Sequence, residues 1–230
     1  TLSRQGMDVT YIDCDVEAPN GHLFLKPNVD REEEVYLHFP VAVDTERCIL
    51  CGKCAQACMY NAVAVLKEKV LFFPELCHVC GACKLVCPTD AVMEEEKRIG
   101  RLRHGSAGEI RVHYALLETG VGGMSPRLIK KVKEYCSSGV SILDAPPGTA
   151  CPAVESVRGA DVVALVADPT PFGLNDLKLA VNMCREMGIE PVVLINRAGK
   201  NEDVVRYCMR EGLEVVGQIP NDRRIAEVYS

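Results

Sequence analysis

The 230-residue chain has no excess of basic residues, no long apolar run and no segment that reads as a secretory signal. Each absence removes a class of function. Domains that hold nucleic acid carry clustered lysine and arginine, whereas this chain has a net charge of −6, so no nucleic-acid partner is expected. A helix crossing a bilayer needs about 20 consecutive apolar residues, and no membrane partner is expected; a basic amphipathic helix of the surface-binding kind is not visible either. A disulfide framework needs an oxidising compartment, so reduced thiols and a cytoplasmic setting are expected. Nowhere does G-x-x-x-x-G-K-[ST] occur, the loop that cradles nucleotide phosphates. The remaining composition, 48% hydrophobic and 25% charged, is that of a globular chain, sized for one large domain or two ordinary ones.

Cysteine is abundant, with thirteen in the chain. Eight of them form one pattern written twice: Cys48-x2-Cys51-x2-Cys54-x3-Cys58 and Cys77-x2-Cys80-x2-Cys83-x3-Cys87-Pro88. A shift of 29 residues (77 − 48) superimposes the copies and pairs Glu46 with Glu75, Gly52 with Gly81 and Ala62 with Ala91. This is the ligand pattern of a two-cluster bacterial ferredoxin, in which three close thiolates and one from the other copy hold each [4Fe–4S] cube. Cluster I then takes Cys48, Cys51, Cys54 and Cys87, and cluster II takes Cys77, Cys80, Cys83 and Cys58. Structural zinc is the alternative, although its Cys-x2-Cys knuckles usually stand about a dozen or more residues apart. Met59, where the second copy has Pro88, departs from the repeat at a position that ligates nothing.

Around the cysteine block, strands alternate with helices. Val9–Ile12 reads as a strand ending at Asp13 and Ile110–Leu116 as a second, followed by a helix with Ser125 as its N-cap and Pro126 at its first position. Strands are expected at Ser141–Leu143, running into Asp144, at Val162–Val166, at Val192–Ile195, ending at Asn196, and at Leu213–Ile219. Helices are expected over Gly173–Met187, from Asn201 as a cap to about Arg210, and from Asp222. This alternation predicts an α/β fold, a doubly wound parallel sheet with ligands at the carboxyl ends of its strands. An α+β ferredoxin-like domain over 40–99 then interrupts a discontinuous core of 1–39 and 100–230, with Glu94–Arg98 as the return linker.

Two stretches narrow the core further: Asp13-Cys14-Asp15-Val16-Glu17-Ala18-Pro19-Asn20 and Asp144-Ala145-Pro146-Pro147-Gly148-Thr149. An aspartate ending an apolar strand is how P-loop NTPases hold Mg2+, and a glycine after a stiff Pro-Pro turn brings a backbone N–H close to a phosphate. With Thr170-Pro171-Phe172-Gly173 and Ile219-Pro220-Asn221-Asp222, the wording resembles the MinD/Mrp superfamily of deviant-Walker-A ATPases, in its branch with an inserted ferredoxin domain.

The resemblance implies roles for particular residues. Asp15 matches the residue that positions the attacking water and Asp13 supports it, so both are candidate catalytic groups. Asp144 matches the carboxylate near Mg2+, Gly148 a phosphate contact, Asn196 the reader of the adenine edge, and Pro220 and Asp222 the loop flanking the base. Helix capping is the alternative for Asp13 and Asp144, and a loop turn for Asn196. The family's cradle and lysine lie ahead of a segment like Leu2–Val9, so an ATPase using ATP and Mg2+ is expected of a complete protein, and little ATP binding of the chain as given. Gly120-Val121-Gly122-Gly123-Met124-Ser125 lacks the third glycine of a dinucleotide loop; it resembles the place where nitrogenase reductases carry a ligating cysteine. Cys151, before Pro152, is either a reactive thiol at a helix start or a small packing residue.

The expected function is an iron–sulfur ATPase coupling ATP binding and hydrolysis to electron transfer through two [4Fe–4S] clusters. The alternative is an iron–sulfur assembly or carrier protein, with the ferredoxin part supplying electrons. Expected partners are a redox donor or acceptor protein and, with ATP bound, a second copy or a related ATPase.

Overall fold

The computed structural model describes residues 2–121, 123–199 and 202–229. The expected cap Asn201 lies outside the described residues. Packing divides the chain into two compact units, one up to Asp144 and one from Ala145 onward.

The first unit is built on a five-stranded mixed sheet. Strand β1 (Val9–Asp13) lies at its heart, parallel on one side to β6 (Ile110–Leu117) and on the other to β7 (Val140–Asp144). β6 pairs antiparallel with β5 (Val92–Ala107), which pairs antiparallel with β2 (Asn28–Val43), giving the order β2-β5-β6-β1-β7. Val9 and Ile12 of β1 are buried, the pattern of a strand covered on both faces. Helix α4 (Ser125–Lys133) packs Leu128, Ile129 and Val132 into a core with Ile12, Val16, Ile99 and Leu102.

Parallel strands are therefore present as expected, but the sheet is mixed. The difference arises from β2 and β5, two sixteen-residue strands forming a ribbon from Asn28↔Ser106 to Val43↔Val92. The run Glu94–Arg98, expected as a linker, lies inside β5, opposite Pro40 through Tyr36. A charged run has no apolar alternation to mark it as a strand; backbone pairing across the ribbon forms it regardless.

The cysteine block hangs from this ribbon. Between β2 and β5 come helix α2 (Lys53–Gln56), a hairpin of β3 (Val63–Val65) and β4 (Val70–Phe72), and helix α3 (Ala82–Leu85). Val63, Cys83 and Val92 make a small core of their own, flanked by Val43, Val70 and Phe72.

The second unit has a parallel sheet in the order β10-β9-β8, from β8 (Ala164–Ala167), β9 (Val192–Ala198) and β10 (Val215–Pro220). Its helices are α5 (Cys151–Val157), α6 (Pro171–Glu186), α7 (Asp203–Glu211) and α8 (Arg223–Tyr229). Thr170 caps α6 by accepting the Gly173 N–H at 3.0 Å. Leu177 and Val181 of α6 and Val204 and Cys208 of α7 close over Val193 and Ile195 of β9.

Candidate iron–sulfur site and strand-end acids

The repeat in the sequence is also a repeat of backbone. Leu50 and Val79 (φ 53° and 48°), Gly52 and Gly81 (76° and 75°), and Asn61 and Asp90 (53° and 49°) form three pairs of left-handed residues separated by the same interval. Only glycine enters that region without strain, and Gly52 and Gly81 use it to turn the chain into α2 and α3. The turns bring three thiols of each loop to one side. A later pair of matched bonds orients the fourth: Ala62 N–H donates to Cys58 Sγ and Ala91 N–H to Cys87 Sγ, both at 3.2 Å.

Two cavities result, each of about 340 Å3 including space open to solvent. Cys48, Cys51, Cys54 and Cys87 line the first, walled by Val43, Val65, Val70 and Val92. Cys58, Cys77, Cys80 and Cys83 line the second, with Tyr60, His78 and Val79 among its walls. Thus the fourth thiol at each cavity comes from the other copy of the motif. Among the described residues, no three His, Cys, Asp or Glu side chains close on a single ion position; each quartet stands around a volume. An all-sulfur set of four about an apolar-walled space fits a [4Fe–4S] cube.

The thiols differ in ease of ionisation. Burial pushes Cys83 up to about 11 and raises Cys54 and Cys77 as well. Cys87 is lowered, chiefly because the Ala91 N–H points at its sulfur. Iron binds thiolates, so loading the buried positions releases protons.

Three features here left no motif in the sequence. His78 stacks on Tyr60, with centroids 3.7 Å apart and an 11° tilt. Val79 packs into the main core, and Arg127 of α4 donates to its carbonyl oxygen at 3.3 Å. The available signal was where the repeat fails: Ile49 stands where the second copy has His78, and Tyr60 where it has Thr89.

The strand-end acids of the first unit adjoin one another. Asp13 and Asp144 are register partners on β1 and β7. Asp13 is 1% exposed, and its carboxylate accepts the backbone N–H groups of Asp15 (3.0 Å), Asn20 (3.0 Å) and Gly21 (2.9 Å). Burial raises its pKa, opposed by those amides. It thereby holds the loop into helix α1 (Gly21–Leu25). Asp15 is half-buried and accepts the Ala18 N–H at 3.3 Å. Asp144 is exposed, and Tyr11 Oη donates to its Oδ2.

The same loop reaches α4. Ser125 Oγ donates to Glu17 Oε1 at 2.6 Å, and Val16 packs in the core beside Met124 and Leu128. Ser125, expected as the cap, is instead the first helical residue, and its hydroxyl goes to Glu17 rather than to its own helix.

Gly148, Asn196, Pro220 and Asp222 belong to the second unit. Gly148 has φ 87° in an exposed loop. Asn196 lies within β9, two residues before its end, because pairing of Pro220 with Ala198 extends the strand beyond the apolar run. Pro220 ends β10, and Asp222 precedes α8, binding Arg224 through its N–H at 2.9 Å and its guanidinium. Cys151 is exposed at the first position of the seven-residue α5.

Comparison with known proteins bears directly on the cysteine block. Residues 47–91, which include all eight cysteines of the repeat, match the 4Fe-4S dicluster domain family. The chain is similar to two uncharacterized proteins of Methanocaldococcus jannaschii. It is 29% identical to MJ0578 over 203 residues, covering 87% of this chain and 71% of that protein. It is 28% identical to MJ0579 over 228 residues, covering 95% and 77%. Among solved structures, a Borrelia burgdorferi protein described as a plasmid partition protein, bound to AMPPNP, aligns with a TM-score of 0.47 at 9% identity, over 97% of this chain and 78% of that one. The chain is an iron–sulfur protein with a 4Fe-4S dicluster domain.

Proposed function

We propose that the protein couples nucleotide-dependent movement to electron transfer, with cluster I held by Cys48, Cys51, Cys54 and Cys87 and cluster II by Cys77, Cys80, Cys83 and Cys58. The clusters, when bound, supply one-electron redox chemistry. The chain's own residues hold them, wall them from water with valines, and join one of them to the acid-bearing strand ends. The ferredoxin-like part is read as an insertion of residues 40–99 into a core of 1–39 and 100–230. Support comes from the ribbon that carries the cysteine block away from β1 and β6.

Helix α4 carries the coupling. At its start, Ser125 holds Glu17, two residues beyond Asp15; one residue past Pro126, Arg127 holds the carbonyl of Val79, between Cys77 and Cys80. A change in the Asp13–Glu17 loop therefore has a rigid element through which to reach the loop of cluster II. Nucleotide-dependent order in such a loop is a known kind of switch. The nucleotide part rests on the resemblance: Asp15 positions water, Asp144 lies near Mg2+, and Gly148, Asn196, Pro220 and Asp222 meet the nucleotide. A partner subunit with ATP bound, and a cytoplasmic setting, belong to the same reading.

The experiment uses anaerobically purified protein made from its full reading frame. Hydrogen exchange in residues 77–81 and 123–128 should change together when Mg-ATP is added, and Ser125→Ala should uncouple them. Exchange in 77–81 that ignores Mg-ATP overturns the coupling.

A further inference from the structure

Each cavity takes its fourth thiol from the other copy of the motif, so a segment distant in sequence must hold that thiol in place. The backbone ties that do so are matched in the two copies. Phe73 N–H donates to Ala62 O at 2.9 Å, and its counterpart Asp44 N–H donates to Ala91 O at 2.8 Å. The N–H groups of Ala62 and Ala91 each reach the crossing sulfur at 3.2 Å. The side-chain ties are not matched. Tyr60, two residues after Cys58, stacks on His78, next to Cys77, with ring centroids 3.7 Å apart. Both rings line the cavity of cluster II, and the stack joins the segment of its crossing thiol to the loop of the other three. The His78 ring also lies against Gly123, where a Cβ would stand 3.4 Å from it.

The repeat interval sets Thr89 in the place of Tyr60 and Ile49 in that of His78. Both line the cavity of cluster I, and neither has a ring to stack. Thr89 Oγ1 is 3.8 Å from Cys87 Sγ, a contact within one segment that leaves the loop untied. Arg47 and Asp90 do cross between the two, but they stand 3.9 Å apart in solvent, where an ion pair contributes little. Ile49 is 64% exposed and Leu50 37%. Val79, the counterpart of Leu50, instead packs against the main core and binds Arg127 through its carbonyl. Cys83 is buried and its counterpart Cys54 only partly so, while Cys51 and Cys80 are exposed alike.

We propose that Tyr60 and His78 are positioning residues that clasp the crossing thiol Cys58 into the cavity of cluster II, so that this cavity keeps its cube while the cavity of cluster I is the first to give one up. The inference rests on the crossed cluster assignment above. Ligands held in place beforehand lose less freedom on binding, and a thiolate that lets go stays within reach to bind again. Without the clasp, and with the loop open to solvent, a released thiolate swings away and a competing ligand enters. Iron supply then decides whether the protein carries two centres or one, and the centre retained is the one whose loop meets α4.

The test starts from anaerobic protein made from its full reading frame and loaded with iron and sulfide. Excess EDTA draws the iron, iodoacetamide labels each thiol as it comes free, and peptide mapping over time identifies the thiols. Cys136 and Cys151, exposed and outside both cavities, label throughout and serve as the standard. Cys48, Cys51, Cys54 and Cys87 should come free together, ahead of Cys58, Cys77, Cys80 and Cys83. Tyr60→Thr gives the second cavity the residue of the first. It should speed release of the second set by roughly two- to tenfold, what one aromatic pair contributes, and leave the first set unchanged. Tyr60→Phe keeps a ring and should behave as the parent. The proposal is overturned if the parent frees the second set first or both together. It is overturned equally if Tyr60→Thr frees the second set no faster, if it speeds both sets alike, or if Tyr60→Phe matches it. Cys58 coming free with Cys48, Cys51 and Cys54 overturns the crossed assignment itself, and the clasp with it, so the two failures are told apart.

Discussion

His104 and His113 face each other across β5 and β6, with their Nδ1 atoms 2.9 Å apart. One ring must donate and the other accept, so the pair is compatible with at most one extra proton. Tyr135 lies against both rings, and its hydroxyl donates to Glu33 at 2.6 Å. Burial, then His104 and Arg111, lowers His113 to about 4, and burial lowers His104. A histidine held below its unfolded value takes up a proton on unfolding at intermediate pH. Its stabilisation is full above about pH 6.5 and is lost as the pH falls toward 4, by about 3 kcal/mol at most. Urea unfolding across that window should show the loss, and His113→Asn should flatten the slope by more than half.

Anaerobic reconstitution should give about eight iron and eight sulfide per chain. Cys58→Ala should remove the signal of the cluster on Cys77, Cys80 and Cys83 and spare the other; Cys87→Ala should do the reverse. EPR of the reduced variants, each combined with a Cys51 or Cys80 substitution, identifies the cluster lost. Damage confined to a variant's own motif would break the crossed assignment, and stoichiometric zinc without sulfide would end it.

Asp13 and Asp15 should separate cleanly on substitution. Asp13→Ala leaves three backbone N–H groups without their acceptor, at a cost of roughly 3 kcal/mol or more. Its melting temperature should fall by several degrees whether or not nucleotide is present. Asp15→Ala loses one 3.3 Å bond from Ala18 and should melt close to the parent. In the protein from its full reading frame it should bind ATP yet hydrolyse it far more slowly. Normal turnover would remove the catalytic role of Asp15.

Gly21 has Tyr11 directly above it, so a Cβ there would run into the phenol. Gly21→Ala should displace Tyr11, release Asp144 from its hydrogen bond and destabilise the protein by roughly 1–3 kcal/mol. Tyr11→Phe should release Asp144 without the clash. If the two variants are equally stable, the close approach matters less than the hydrogen bond.

The cysteine block was the most legible part of the chain, because ligand spacing is local and the motif repeats. Strands β1, β6, β7 and β9 were also readable, since Val9–Ile12 or Val192–Ile195 are apolar runs of strand length. The β2–β5 ribbon was not. Its pairing joins residues as far apart as Asn28 and Ser106, and Asp30–Glu34 and Glu94–Arg98 look like solvated charge. The Glu17–Ser125 and Arg127–Val79 contacts were illegible for the same reason. They link residues 108 and 48 positions apart, and nothing local in serine or arginine announces such a partner. Asp13 was recognised as an important position, but its three amide donors become visible only when the loop to Gly21 is folded around it.

Strand β2 is the last in its sheet, so one side of a sixteen-residue backbone faces outward. At about 3.3 Å per residue such a margin is long, and an unpaired margin invites another chain to add itself as a further strand. The five consecutive charges from Asp30 to Glu34 fall on it, as does Pro40, which has no N–H to offer. A run that reads as mere solubility thus disfavours edge-to-edge pairing with another chain, along the same ribbon that carries the cysteine block.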